Sequence, residues 1–372
     1  MAVAVWFSMP SAPAGESREV PLRLRVDALA GSTGSTLAAL IEADLQASGA
    51  FVLTREPTGV HVVGGTVTGS RIEGRLVDAS GTSVLETVYD GPDLRRGAHE
   101  LADDIVFALT GRPGVATSRL AFVSDVTGRP EIYVCEADGR ERRRVTYDGA
   151  LASHPSIDRT GSLLTYSSHS GLHSEVFLLD LMGGARRRLV ATPGGSGGAA
   201  LSPDGRRLAL STTLGGWSSV TVMEIDGSNP RRMAPEGWVS SSPAWSPDGE
   251  RVVFVCDEGD GDGPHLREGR AGHRGRRLRL GGGAAFSPDW SPDGQRLVFV
   301  TLHRGEFWLA LWERGASRVR LLGPGRDPCW GADSRHILFS TGTQLVTLHT
   351  EAGQRRTIVE NFGRLSEPTW TK

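Results

Sequence analysis

The chain has 372 residues, 38% of them hydrophobic, and a formal net charge of −2. That length predicts two domains, or one small domain and a large all-β array. No run of about 18 apolar residues is present to form an internal membrane helix. Forty of the 41 basic residues are arginine, scattered over hairpin turns and offset by 43 carboxylates, so the charge pattern carries no nucleic-acid signal. Cys135, Cys256 and Cys329 are dispersed and odd in number, which suggests neither a disulfide framework nor a zinc site.

At the start, the apolar run Ala2 to Met9 and the small-residue pattern Ala12-Pro13-Ala14 fit a signal peptide without its basic n-region. Residues 1–18 are read as a truncated signal and arm, with the mature protein expected to begin near Gly15. Residues 19–111 predict a small α/β domain. Pro21 to Val26 alternates as a strand, and Leu37, Leu40, Ile41 and Leu45 share one face of a helix that stops at Gly49. Three strand-like runs follow, Val60 to Thr68, Arg71 to Asp78 and Ser83 to Tyr89, then an amphipathic helix from Leu94 to Leu109 ending at Gly111. The order is βαβββα. Pro113 and Gly114 in the short link to Ser118 limit the orientations open to the two parts.

From residue 119 to 372 the sequence repeats itself. LSPDGRRLALS from Leu201, WSPDGERVVFV from Trp245 and WSPDGQRLVFV from Trp290 are plain copies, and the segments from Asp158 and Trp330 are degenerate ones. A period of about 40 to 45 residues with short strands is the signature of a β-propeller, whose four-stranded blades cannot bury both faces alone. Pro-Asp-Gly makes each turn: proline presets φ, aspartate bonds nearby backbone, and glycine takes positive φ. Second strands begin at Arg119, Leu163, Arg207, Arg251, Arg296 and Arg335, which predicts six blades. Only five have their turn upstream; Glu367 to Trp370 supplies the missing element and closes the ring beside Arg119 to Ser124. Between Cys256 and Gly283 the apolar hairpin gives way to glycine and charge, and this stretch is expected to lack order.

Catalytic signatures are sparse. Lys372 is the sole lysine, which removes a Walker A loop, and no H-E-x-x-H occurs. Gly194 to Gly198 matches G-x-S-x-G in letters but leads into a strand where a nucleophile elbow needs a helix. Glu258, Asp260 and Asp262 imitate a calcium loop whose twelfth position is Gly269, and they read as a solvated acidic turn. His169 and His173 stand four apart in a loop, where that spacing does not align ligands. Asp204, Asp248 and Asp293 recur in every copy, as shared turn residues do. No catalytic residue, cofactor site or metal site is assigned.

The junction HELADDIVFALTGRPGVATSRLAFVS from His99 resembles that of the TolB family, with Asp104, Leu109, Thr110, Gly111, Gly114, Thr117 and Arg119 in matching places and Ala116 where an aromatic is usual. LQASGAF ending at Phe51 adds to the likeness, which spans nearly the whole chain. The resemblance implies a monomeric, non-enzymatic periplasmic protein that binds no nucleic acid. Its propeller would bind the peptidoglycan-associated lipoprotein Pal and its N-terminal segment TolA, supporting outer-membrane integrity and constriction at division. A propeller that gates a hydrolase, or holds a small ligand in its channel, is the other reading. The loops entering the innermost strands converge on one channel mouth. They carry the candidate partner residues Ser153, His154, Gly198, Ser241, Phe286, Arg326 and Glu367.

Overall fold

A computed structural model describes residues 22–372 apart from 148, 171–172, 191–193, 215 and 282. The expected signal segment, 1–18, lies outside the described residues. Strand β1 (Leu22–Val26), helix α1 (Gly34–Ala47), β2 (Phe51–Leu53), β3 (His61–Thr68), β4 (Arg71–Val77), β5 (Ser83–Asp90) and helix α2 (Leu94–Thr110) build a five-stranded sheet in the order β2-β1-β3-β4-β5. The three-residue β2 is an addition to the expected βαβββα order; it pairs parallel to β1. Leu37, Ile41 and Leu45 of α1 and Leu101 and Ile105 of α2 are buried together with Leu24, Ile72 and Leu76 of the sheet. Asp93 caps α2 by accepting from the Arg96 N–H (3.0 Å), and Gly111 ends it in the left-handed region at φ 67°.

Six four-stranded sheets follow. The first blade holds β6 (Arg119–Ser124), β7 (Glu131–Glu136) and β8 (Arg143–Arg144). The second holds β9 (Leu151–Ile157), β10 (Leu163–Ser170), β11 (His173–Asp180) and β12 (Arg186–Val190), and the third β13 (Ser196–Leu201), β14 (Arg207–Leu214), β15 (Trp217–Glu224) and β16 (Arg231–Arg232). In the fourth are β17 (Val239–Trp245), β18 (Arg251–Asp257), β19 (His265–Arg270) and β20 (Arg276–Arg277). The fifth has β21 (Ala285–Trp290), β22 (Arg296–His303), β23 (Glu306–Glu313) and β24 (Arg320–Pro324), and the sixth β25 (Arg326–Trp330), β26 (His336–Ser340), β27 (Leu345–His349) and β28 (Arg355–Val359). Finally β29 (Leu365–Trp370) pairs antiparallel with β6 as the innermost strand of the first blade, so both chain segments close one sheet.

The turn chemistry repeats to the atom. Asp204, Asp248 and Asp293 each accept from the hydroxyl of Ser202, Ser246 or Ser291 at 2.5 Å and from the backbone N–H two residues on. The same serine oxygens accept from the N–H of Arg207, Arg251 and Arg296 at 2.9 Å, which starts the second strand. Arginine at that position also ties blade to blade. Arg207 donates to the Gly249 carbonyl (2.7 Å) and lies over the Trp245 ring, and Arg296 donates to the Ser334 carbonyl (2.5 Å) over Trp330. A charged hydrogen bond and a cation–π contact together contribute about 2 kcal/mol. Arg207→Ala is therefore expected to lower the thermal midpoint by about 5 °C, and Arg207→Lys to restore little, because only guanidinium is planar enough to make both contacts. Differential scanning fluorimetry checks this; an unchanged midpoint would show the clamp to be idle.

The fourth blade corrects an expectation, since β19 and β20 form across the glycine-rich stretch. Leu266, Leu278 and Leu280 reach the core, and charge adds to that packing. Arg267 of β19 donates to the Gly275 carbonyl (2.9 Å) and to Glu258, and stacks on Trp238. The buried Glu268 faces Arg251 (3.3 Å), Arg314 (3.6 Å) and Arg276 (3.9 Å). Glycine is required at 275, where a Cβ would lie 2.8 Å from the Phe254 ring. The glycines let backbones close in, and the arginines hold them.

Candidate functional site

Each innermost strand breaks its pairing at the same point. Register shifts fall opposite His154-Pro155, Gly198-Ala199, Ser242-Pro243, Ser287-Pro288, Asp327-Pro328 and Glu367-Pro368. The first residue of every pair has φ between 45° and 59°. A bulge leaves one residue without a ladder partner, and proline, having no N–H to pair, fits the second position in five of the six blades. The six bulge residues ring one end of a central channel of about 330 Å³. Below them the wall is mostly small: Ser156, Ala200, Ala244 and Thr369, with Asp289 and Cys329.

Charge in the channel is acidic and partly compensated. Burial pushes the Asp327 carboxyl above the ordinary carboxylate range; Glu367 donates its N–H to that carboxylate (3.2 Å), while its own charge pushes the same way as burial. The Glu367 carboxylate accepts from the His154 N–H (2.5 Å), with the imidazole 3.8 Å away. At the far end Lys372 donates to both Asp289 oxygens (2.5 and 2.6 Å), and Trp330 N–H donates to the same carboxylate (2.8 Å).

Of the sequence-derived candidates, His154, Gly198 and Glu367 belong to the bulge ring. Ser153, Ser241, Phe286 and Arg326 stand one residue earlier, on the outward side of the bulge. Ser153 lies between His154 and His169, 3.0 and 3.1 Å from their ring nitrogens. Phe286 and Arg326 meet on a third residue, Phe307: Phe286 packs edge-on at 6.0 Å between centroids, and the Arg326 guanidinium covers the ring at 4.3 Å. Ser242, Ser287 and Asp327 escaped the sequence reading. The repeated X-Pro dipeptide inside five innermost strands was the signal for them.

The same face carries exposed apolar side chains, none of which lines the channel itself. Val126, Tyr147, Leu151, Trp217, Val239 and Leu302 are all exposed, and each sits at a strand end or loop on the face where the chain enters the innermost strands. The α/β domain occupies the opposite face. There Arg95 of α2 donates to Glu136 (2.6 Å) and to Asp138 of the β7–β8 turn, and Gly49 lies against His349 at the end of β27.

Other chemistry-bearing groups are otherwise engaged. Glu258 bonds His265 and Arg267, and Asp262 pairs with Arg277 (2.9 Å), so the acidic turn is tied into its blade. Ser196 of the G-x-S-x-G match lies on β13, with strand β14 after it. Among the described residues, His99, Glu136 and Asp138 bring ligand atoms within 4.8 Å of one another, but the Arg95 guanidinium sits on both carboxylates.

The fold is a six-bladed β-propeller with an α/β domain on one face and the bulge-ringed channel toward the other. Residues 107–372 match the family model of the TolB beta propeller domain, and the chain belongs to that family. It is 34% identical over 141 residues to the Tol-Pal system protein TolB of Desulfosudis oleivorans, 37% of this chain and 31% of that protein. It is 28% identical over 180 residues to the protein TolB homolog of Chlorobaculum tepidum, 45% of this chain and 42% of that protein. The matched stretches thus span less than half the length of these curated relatives. The crystal structure of TolB from Acinetobacter baumannii superposes with a TM-score of 0.84 over 95% of this chain and 97% of that one, at 20% identity, and shares its fold.

Proposed function

We propose that this chain is the propeller component of a Tol-Pal system: a periplasmic, non-catalytic protein that binds the lipoprotein Pal at the bulge-ringed mouth. The segment ahead of Leu22 engages TolA, residues 19–111 and 119–372 act as two domains, and the assembly supports outer-membrane integrity and division. One observation carries the reading. Six large apolar residues stand exposed at strand ends and loops of the face that the α/β domain leaves open, the face on which the bulge-ringed channel lies. Several large apolar side chains exposed on one face beside a concavity support a recognition surface there. The Phe286–Phe307–Arg326 cluster supplies the aromatic and arginine anchors on which protein interfaces concentrate their energy.

Phe286→Ala with Arg326→Ala strips both neighbours from Phe307 and is expected to weaken binding of the purified periplasmic domain of Pal by about 2 kcal/mol, roughly 30-fold in Kd. Isothermal titration with a thermal-melt control measures it. An affinity equal to the parent's moves the interface elsewhere; turnover of peptide or glycan by the parent protein would favour the hydrolase reading instead.

A further inference from the structure

We infer that Arg95 and His99 form a charge latch that locks the α/β domain onto the closing blade of the propeller, and that losing the His99 charge lets the two parts behave as separate bodies. The geometry is a sandwich. His99 is 2% exposed; its Nδ1 lies 2.6 Å from Asp44 of α1, inside its own domain, and its Nε2 lies 3.6 Å from Glu136 of β7, across the junction. Arg95, one turn earlier on the same face of α2, donates to Glu136 (2.6 Å) and Asp138. Five residues from four segments, Asp44, Arg95, His99, Glu136 and Asp138, thus make one alternating set of charges around a buried imidazole.

A protonated imidazole suits this site, because Nδ1 is hydrogen-bonded to Asp44 (2.6 Å) and the buried Nε2, which has no hydrogen-bond partner, faces the Glu136 carboxylate at ion-pair distance (3.6 Å). Burial pulls the imidazole down, but the Asp44 hydrogen bond and the nearby Glu136 carboxylate outweigh it and hold His99 at about 9. The facing His99 imidazole and the Arg95 guanidinium hold Glu136 down at about 2 against burial. The other charged groups around the sandwich are Asp103 of α2, Arg356 of β28 and Arg140 beside Asp138. Asp44 is pushed up by burial and held back by His99, so it too relies on the imidazole charge.

The sign follows from linkage. A histidine raised from 6.5 to about 9 stabilises the folded junction fully below 6.5, and that contribution is lost as pH rises through 9. Glu136, lowered from 4.5 to about 2, contributes above 4.5 and loses its share as pH falls through 2. The latch is complete between those limits, near pH 4.5 to 6.5.

Differential scanning calorimetry of the full chain tests it. At about pH 6 the parent is expected to melt in one cooperative transition, and at about pH 9.5 in two, separated by about 5 °C or more. His99→Gln is expected to show two transitions at both values. Should that variant fail to fold, Glu136→Gln leaves the Asp44–His99 bond within the small domain and the Arg95–Asp138 bond across the junction, and removes only the carboxylate charge that faces His99; it too is expected to split the transition at pH 6. A single transition in Glu136→Gln with the parent's pH dependence overturns the latch. Two transitions in the parent at pH 6 overturn it as well.

Discussion

A chain ending at Ser366 is expected to melt more than about 10 °C below the full-length protein, far beyond what loss of six terminal residues ordinarily does. The reason is closure. Those residues carry most of β29, and with them go the pairings of Thr369 with Ala121 and Trp370 with Leu120 that seal β6. Trp370 is 3% exposed and packs with Leu120, Phe122, Cys329 and Leu338 across the seam between first and sixth blades. Emptying a buried tryptophan site costs about 3–5 kcal/mol. The Thr371 hydroxyl also accepts from the Arg119 N–H (3.0 Å), and Lys372 neutralises Asp289 inside the channel. Leaving a half-buried carboxylate unpaired adds roughly 1–3 kcal/mol. The opened β6 edge becomes a template for pairing with other chains, so the truncated protein should also aggregate. Trp370→Ala separates the causes: it keeps the backbone seal and Lys372, and is expected to show about half the loss. Thermal unfolding with light scattering reads both effects, and a truncated chain that melts with the parent and stays monodisperse would mean that the ring is held elsewhere.

The propeller was legible because its repeat is local chemistry. Ser-Pro-Asp-Gly and the arginine after it encode a turn, a strand start and an inter-blade clamp in one stretch, so the second strands begin where the repeat places them, the sixth starting one residue late at His336. Closure could be counted for the same reason. The fourth blade misled because strand propensity looks for apolar alternation, whereas β19 is held by Arg267 and Glu268 through partners distant in sequence, Trp238, Arg251 and Arg314. The three-residue β2 escaped since Phe51 to Leu53 is too short to show a period. The candidate residues do fall on the innermost strands around the bulges, but in three blades the residue named lies one short of the bulge, because a bulge re-aims a side chain without altering the hydrophobic pattern. The exposed apolar residues of the open face and the charge sandwich at His99 bring together residues too far apart in sequence for any spacing to reveal.

At the junction the residue that matters is Asp103, not its neighbour Asp104, and Asp103→Ala is expected to destabilise the protein by about 2 kcal/mol. Half-buried on α2, Asp103 accepts from Ala116 N–H (2.8 Å), Thr117 N–H (2.9 Å) and the Thr117 hydroxyl (2.6 Å), three donors of the link that leads into β6. Burial pushes its carboxyl above the ordinary range, and these donors pull it back only in part. Removing the carboxylate recovers that burial cost but leaves the Ala116 N–H unpaired at roughly 1–3 kcal/mol, while water replaces the carboxylate at the exposed Thr117 donors, and the link loses its anchor, so the balance is a loss. Asparagine is a poor substitute, because its NH₂ would face either the Ala116 or the Thr117 donors. The same contact explains Gly114, where a Cβ would lie 2.0 Å from Asp103 Oδ1; Gly114→Ala should mimic Asp103→Ala by forcing the link away from the helix. Asp104 accepts from the exposed Tyr89 hydroxyl, so Asp104→Ala is expected to cost under about 1 kcal/mol. Urea unfolding of the three variants, with hydrogen exchange at Ala116 and Thr117, measures the difference. Equal losses for Asp103→Ala and Asp104→Ala, or unchanged exchange at the two link amides, would remove Asp103 from its role as the anchor of the link.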